Sequence, residues 1–417
     1  MGVVWEVLQG ITPSTTVSNM PPKRSATGAS GSKAAKKAKP APVATKKAAK
    51  AAKVKVPLVK PKKALRVQTK TINHSICVPT TVLSHCKNLE QLTHVVYQIA
   101  KAAVTFNVGE VVVLDLGDRK EKAKDDKESK GATHRLSDAM LIATLLQYFV
   151  TPPYLVKSVF KKQYAQYFKI AKDLPRLGAL PFMRHLGDGD EGRYREGLAV
   201  RMSNPNEKST KEFKQTKYIN VGRSELLALK TQLVPANVRV TVDIEERRVV
   251  SPVEAYGDFV GARSSFGYHV RVAKSFGDVF TESAQPGGYS QCVWANCGDF
   301  YYDEHERRHV KVETKVPRVT TIYQPAAAAA AEAAEHVATG GKPAAVQPAN
   351  ILLVFGKWAD IQRAFNGSRD QFEGCEGAHQ FFDGQLEMPG AAPQGCLAIE
   401  DACMVSLTLI DTLEQKQ

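Results

Sequence analysis

The stretch Ile351-Leu352-Leu353-Val354-Phe355-Gly356 decides the fold class, together with the segment that runs from Met388-Pro389-Gly390 into Glu400-Asp401-Ala402-Cys403. The first piece is an apolar run too short for a helix and stopped by Gly, which reads as a parallel strand buried on both faces. The second is a Pro, Gly and Ala loop closing on two acids suited to the first turn of a helix, with an apolar helical run behind them. An α/β sheet holds its ligands beyond the carboxyl ends of such strands, where small-residue loops let backbone amides approach a small molecule. The pattern by itself specifies no ligand, because many α/β domains share it.

Toward the amino terminus, residues 72–83 contain a strand that stops at Pro79. Residues 89–103 place Leu92, Val95, Val96, Ile99, Ala100 and Ala103 at three- and four-residue spacing, which predicts a helix with one buried face. After the Asn107-Val108-Gly109 turn, residues 110–115 form a second buried strand, so strand, helix and strand predict a parallel unit. Residues 117–135 are a charged surface loop, 136–149 an apolar helix ending before Thr151-Pro152-Pro153, and 154–160 the start of another helix. Between 195 and 283 the helical period disappears. Short β-type runs at 198–200, 218–221, 238–242 and 248–250 predict a small barrel of the OB type, inserted between two α/β halves. The large sheet resumes at 268–272 and 289–294, and residues 325–349, nearly all Ala, Pro and Gly, read as a linker.

The chain of 417 residues carries a net charge of +15, and a hydrophobic fraction of 43% suffices for a core. Residues 20–66 hold 15 Lys and Arg and no Asp or Glu, so the whole excess sits there. That composition predicts a disordered arm. Its clusters, Lys23 and Arg24, then Lys33, Lys36, Lys37 and Lys39, have the spacing of a nuclear address and also suit phosphate backbones; a solubilising tail is the plainer reading. No apolar stretch of about 18 residues predicts a membrane span, and the first residues lack a signal-peptide layout. Seven Cys without a Cys-x-x-Cys pair argue against a zinc site and against a disulfide framework. No metal is expected.

Several segments carry a family resemblance: Leu146-Gln147-Tyr148-Phe149 with Pro153-Tyr154-Leu155, Met183-Arg184-His185, Tyr194-Arg195-Glu196-Gly197, Gly267-Tyr268-His269-Val270-Arg271-Val272-Ala273, Leu353-Val354-Phe355-Gly356 and Glu400-Asp401-Ala402. In this order the chain resembles the SPOUT-superfamily RNA methyltransferase group of eukaryotes and archaea over roughly residues 70–412. The resemblance implies an α/β methyltransferase domain with a trefoil knot, in two parts (69–180, then 263–324 with 350–417) around an OB-like insertion at 181–262, behind a basic arm at 1–68. It implies a homodimer, S-adenosylmethionine as methyl donor, and an RNA substrate, ribosomal RNA first, with uridine N3 as the leading acceptor. Nuclear import through the arm, a nucleolar location and no membrane partner complete the expectation.

By the same resemblance, three loops (293–298, 355–358 and 387–399) hold the cofactor. Their expected contact residues are Trp294, Ala295, Asn296 and Gly298, then Phe355 and Gly356, then Glu387, Gln394, Gly395, Cys396, Leu397 and Ile399. Arg184 and Arg195 are the candidates for positioning RNA or supporting charge on the acceptor, with a structural or phosphate-contact role as the alternative. Asp299 and Glu387 are placed to meet the ribose or the amino group of the donor. The chain departs from the family where its first loop has Trp294 in place of Gly, and where neither the first nor the third loop carries the usual Arg. Trp294 either stacks on the adenine or fills the pocket. The alternative function is a catalytically silent RNA-binding or scaffold protein with the same fold, in ribosome assembly or chromosome-associated complexes.

Overall fold

The computed structural model describes residues 72–117, 136–183, 192–201, 214–256, 267–283, 288–323, 349–372, 374–389 and 397–415, all within one compact unit. The basic arm with Lys23, Arg24, Lys33, Lys36, Lys37 and Lys39 lies outside the described residues, as do nearly all of the charged loop and the linker, and Arg184, Gln394, Gly395 and Cys396. The strands in chain order are β1 (Ile72–Pro79), β2 (Glu110–Leu114), β3 (Tyr194–Ala199), β4 (Gln215–Thr216), β5 (Tyr218–Asn220), β6 (Leu227–Ala228), β7 (Val234–Pro235), β8 (Arg239–Asp243), β9 (Arg248–Val250), β10 (His269–Ala273), β11 (Gln291–Asn296), β12 (Phe300–Asp303), β13 (Arg308–Lys311), β14 (Ala349–Val354) and β15 (Gly384–Glu387). The helices are α1 (Leu89–Thr105), α2 (Asp138–Phe149), α3 (Val156–Val159), α4 (Pro252–Tyr256), α5 (Phe276–Thr281), α6 (Trp358–Gly367) and α7 (Ile399–Gln415).

The fold is mixed α/β around a parallel sheet of order β10-β2-β1-β14-β11-β15, in which every pairing is parallel. Successive side chains of a strand face opposite ways, and here each way leads into a core. Ile76 and Val78 of β1, Val293 and Ala295 of β11, and Ile351 and Leu353 of β14 enter the core that also holds Leu92, Ile99, Leu145 and Leu407, from α1, α2 and α7. Cys77, Cys292, Trp294, Leu352 and Val354 enter the other core, with Phe276 of α5 and Trp358, Ile361 and Phe365 of α6. The apolar runs 76–78 of β1, 111–114 of β2 and 351–354 of β14 are therefore continuous because the sheet is covered on both sides.

The ends of the elements follow local chemistry. Asn88 caps α1 by accepting the Gln91 N–H at 2.9 Å, and Ser137 caps α2 by accepting that of Met140 at 3.3 Å. His74 Nε2 lies 2.7 Å from Glu414 Oε1, which ties β1 to the far end of α7. The helix expected from residue 154 is the single turn of α3, continued by 3₁₀ turns over Lys162–Phe168 and Ala171–Asp173. Among the described residues no helix is long and apolar enough to cross a membrane.

Between α3 and β10 the chain builds a second, antiparallel sheet of order β6-β5-β3-β8-β9, over a core of Ala199, Ile219, Val221, Leu229, Val234 and Val242. Among the bonds that join it to the α3 segment are Tyr154 O–H to Glu196 O at 3.0 Å and Asn220 Nδ2 to Ser158 Oγ at 2.9 Å. Its β8–β9 turn, Asp243-Ile244-Glu245-Glu246-Arg247-Arg248, matches the β12–β13 turn, Asp303-Glu304-His305-Glu306-Arg307-Arg308. In each, the Asp carboxylate accepts the N–H groups two and three residues on, the first Arg adopts positive φ (53° and 47°), and the second Arg pairs with the Glu two residues before it. Self-bonding Asp side chains are the general reason such turns close.

Candidate functional site

β14, β11 and β15 are neighbours and run parallel, so their carboxyl ends open on one edge of the sheet. This is where a parallel α/β sheet places ligands. Beyond β14, Phe355 is fully buried and its N–H continues the ladder to Cys77 O at 2.9 Å. Gly356 follows at φ +124°, and a Cβ there would stand 3.1 Å from Pro79 Cγ at the end of β1. Only glycine takes that backbone without strain.

Beyond β11, Asn296 folds its own loop. Its Oδ1 accepts the N–H groups of Gly298 at 3.1 Å and Asp299 at 3.3 Å, and its Nδ2 donates to Gln385 Oε1 of β15 at 3.0 Å. Gly298 sits at φ +87°. The segment after β15 returns to the same place: Met388 N–H donates to Asn296 O at 3.0 Å and Leu397 N–H to Cys297 O at 2.8 Å. Trp294 Nε1 donates to Gly356 O at 3.0 Å. Asp299 Oδ2 accepts the N–H of Trp358, the first residue of α6, at 2.8 Å. Each of the three segments is thus hydrogen-bonded to another.

The structure carries the strand before the first of these segments further than the sequence expectation does. Trp294 lies in the strand expected at 289–294, and Ala295 and Asn296, expected in the loop after it, also belong to β11, which pairs with β15 on one side as well as with β14 on the other. Trp294 is 0% exposed, with its ring against Trp358 at 5.0 Å between centroids. Leu397 and Ile399 are half-buried and pack on the core beneath α7. Glu387 ends β15 in ion pairs with Lys311 of β13 and with Arg318, the latter at 2.7 Å. Arg195 lies apart from these segments in β3, its guanidinium 4.7 Å from the ring centre of Tyr154.

Glu400, in the first turn of α7, is a carboxyl held above its ordinary pKa, chiefly by burial and further by Asp401, against opposing pulls from its own backbone N–H and from His85. Burial pushes the Cys77 thiol up to about 12 and those of Cys292 and Cys403 well up, so they stay protonated and are poor nucleophiles. Among the described residues no group of His, Cys, Asp and Glu is arranged to hold a metal ion.

Sequence reasoning missed two components. One is β15, four residues with a single apolar side chain. The other is a second bond of Asp299, the acid placed to meet the ribose or the amino group of the donor: it is 8% exposed and its carboxylate accepts from a helix terminus. Asp360 in the first turn of α6 was the available signal for a helix start just beyond Gly356.

The family described as "Putative RNA methyltransferase" matches residues 73–410. A Saccharomyces cerevisiae protein named as a "Putative methyltransferase" is 40% identical over 355 residues, 84% of this chain and 98% of that protein. The 28S rRNA (uridine-N(3))-methyltransferase of Drosophila melanogaster is 31% identical over 237 residues, 52% of this chain and 45% of its own length. The human protein of the same name is 27% identical over 231 residues, 52% of this chain and 56% of its own length.

Proposed function

The chain belongs to this RNA methyltransferase family and is one of its enzymes, and from that premise we propose that it transfers a methyl group from S-adenosylmethionine to a base of ribosomal RNA, uridine N3 first among the candidates. The observation that carries the reading is the mutual bonding of the segments after β11, β14 and β15 at one edge of the parallel sheet. The residues fit the donor: Gly298 and Gly356 offer backbone without side chains, and the half-buried Leu397 and Ile399 offer an apolar wall. Gln394, Gly395 and Cys396 belong to the same proposed set, and Glu387 stands at its rim.

The bound sulfonium supplies an activated methyl group. The residues then have to hold donor and acceptor in line and keep water out, which by itself lowers the barrier substantially. Transfer to uridine N3 releases a proton, and a cation beside the developing charge assists; Arg184 and Arg195 are assigned to that charge or to the RNA strand. The names of the fly and human relatives support the uridine and the ribosomal RNA.

The same reading includes a trefoil knot around the strand ends, the antiparallel sheet of β3 to β9 as an OB-like insertion within 181–262, and a homodimer with the site near its interface. It also includes a nuclear, nucleolar place of action, reached through the arm at 1–68. The test incubates the full chain with labelled S-adenosylmethionine and ribosomal RNA and resolves the nucleosides by mass spectrometry. Labelled 3-methyluridine supports the proposal. Cofactor binding with RNA binding but no transfer supports the silent scaffold instead.

A further inference from the structure

The hairpin β12–β13 grows directly out of the candidate site. β12 begins immediately after Asp299, and the returning chain is fastened where Val312 N–H donates to Asp299 O at 2.9 Å. Phe300 pairs with Lys311 and Tyr302 with His309, and residues directly opposite in an antiparallel pair share a face. One face therefore runs from Tyr302 and His309, whose rings meet edge-on at 5.4 Å, to Lys311 and on to Glu387 at the end of β15. Tyr301 occupies the opposite face.

Tyr301 and Tyr302 are 51% and 55% exposed, among the most exposed large hydrophobic side chains of the described residues. Neither phenol has a hydrogen-bond partner among the described residues, whereas the buried Tyr268 and Tyr289 both donate one. Arg307, in the turn that joins the strands, is exposed and forms no ion pair among the described residues. The two exposed rings, Tyr302 beside His309 on one face and Tyr301 on the other, need an occupant that takes flat apolar faces and tolerates cations beside them. Unstacked nucleobases of single-stranded RNA have that chemistry: they stack on Tyr and His, with Arg or Lys on the phosphates. A protein partner or second copy would favour a patch whose centre is depleted of charge, and this face holds His309 and the Lys311–Glu387 ion pair.

We propose that the β12–β13 hairpin is a stacking arm for single-stranded RNA, in which Tyr302 and Tyr301 take bases that flank the acceptor nucleotide and Arg307 takes a phosphate. This rests on the RNA reading of the site. Tyr302 lies three residues beyond Asp299, roughly 10 Å along the strand, so a base held by its ring belongs to the same short stretch of RNA that enters the site.

The test compares the full wild-type chain with Tyr301→Ser/Tyr302→Ser and Tyr301→Phe/Tyr302→Phe. Fluorescence anisotropy reads binding of a uridine-rich single-stranded RNA oligonucleotide, at raised salt to suppress the phosphate contribution of the basic arm. Calorimetry with S-adenosylhomocysteine and sedimentation are run on the same samples. The expected result is RNA binding weakened about tenfold or more in the Ser variant, near wild-type binding in the Phe variant, and unchanged cofactor affinity and mass. A Ser variant that binds RNA like wild type, while wild type binds and methylates RNA, overturns the arm alone. A Ser variant of altered mass identifies a second copy as the occupant and also overturns it. A wild-type chain that binds S-adenosylhomocysteine but no RNA removes the RNA reading and the arm with it.

Discussion

The carboxylate of Asp299, beyond β11, accepts the backbone N–H of Trp358, the first residue of α6 beyond β14, at 2.8 Å. Lys357, at the cap position, gives α6 no side-chain bond, so a residue from the neighbouring segment satisfies one of the helix's open donors. A negative group there is further favoured by the helix dipole. One bond thus holds two of the three segments assigned to the cofactor.

Asp299→Ala is therefore expected to cost about 1 kcal/mol of stability, the usual loss for a removed helix cap, and to weaken S-adenosylhomocysteine binding as well. Asp299→Asn, which keeps an acceptor oxygen, should lose less of both. Urea denaturation and calorimetry on the same samples check this; a loss of stability with unchanged affinity would mean that the cap does not order the site.

The sequence was legible where burial imposes a pattern. The runs in β1, β2 and β14 and the face of α1 could be read because a sheet covered on both sides demands unbroken apolar strands and a helix laid on it demands a 3.6-residue period. The strand order was not legible: the pairing of Cys77 with Val354 links residues far apart in the chain, and no local signal encodes it. For the site, Gly356 announced itself as a stop after an apolar run, and its conformation explains why. Trp294 did not, because an aromatic in a short β-type run reads the same whether it faces a ligand or the core. The bond of Asp299 to α6 was hidden for a related reason, since its partner is a backbone N–H and leaves no trace in side-chain spacing.

At the opposite edge of the sheet, Arg271 donates to Glu110 Oε1 at 2.7 Å and to the carbonyls of Asp278 and Val279, and Tyr289 donates to Glu110 Oε2 at 2.6 Å. This network fastens the start of β2 to β10 and α5. Arg271→Met should cost about 3–5 kcal/mol, because Glu110 is left buried without its cation, and Arg271→Met/Glu110→Gln should recover part of that. A double-mutant cycle in urea measures both. Cofactor affinity per folded molecule should not change, and a specific loss of affinity would place Arg271 in the site instead.

Glu400 gives a pH dependence whose sign is fixed. Its folded pKa stands above the unfolded value, so the native state binds this proton more tightly. The stability this confers is present below the unfolded pKa and is lost as pH rises through the folded pKa, leaving a cost at neutral pH. Glu400→Gln should therefore be more stable than wild type at neutral pH, and the difference should vanish in acid below the ordinary glutamate range. Thermal melts across that range decide it; a variant less stable at neutral pH would show that the charged carboxyl contributes to the fold.

The segments beyond β11, β14 and β15 are the proposed cofactor site. The most direct measurement is calorimetric titration of the full chain with S-adenosylhomocysteine, for wild type and Gly356→Ala, with circular dichroism confirming that both are folded. An alanine at φ +124° against Pro79 stores about 1–3 kcal/mol of strain, which the segment relieves by shifting. Single-site binding is expected for wild type, weakened about tenfold or more in Gly356→Ala. A folded wild-type chain that gives no binding, or equal affinity in the two proteins, would contradict the assignment.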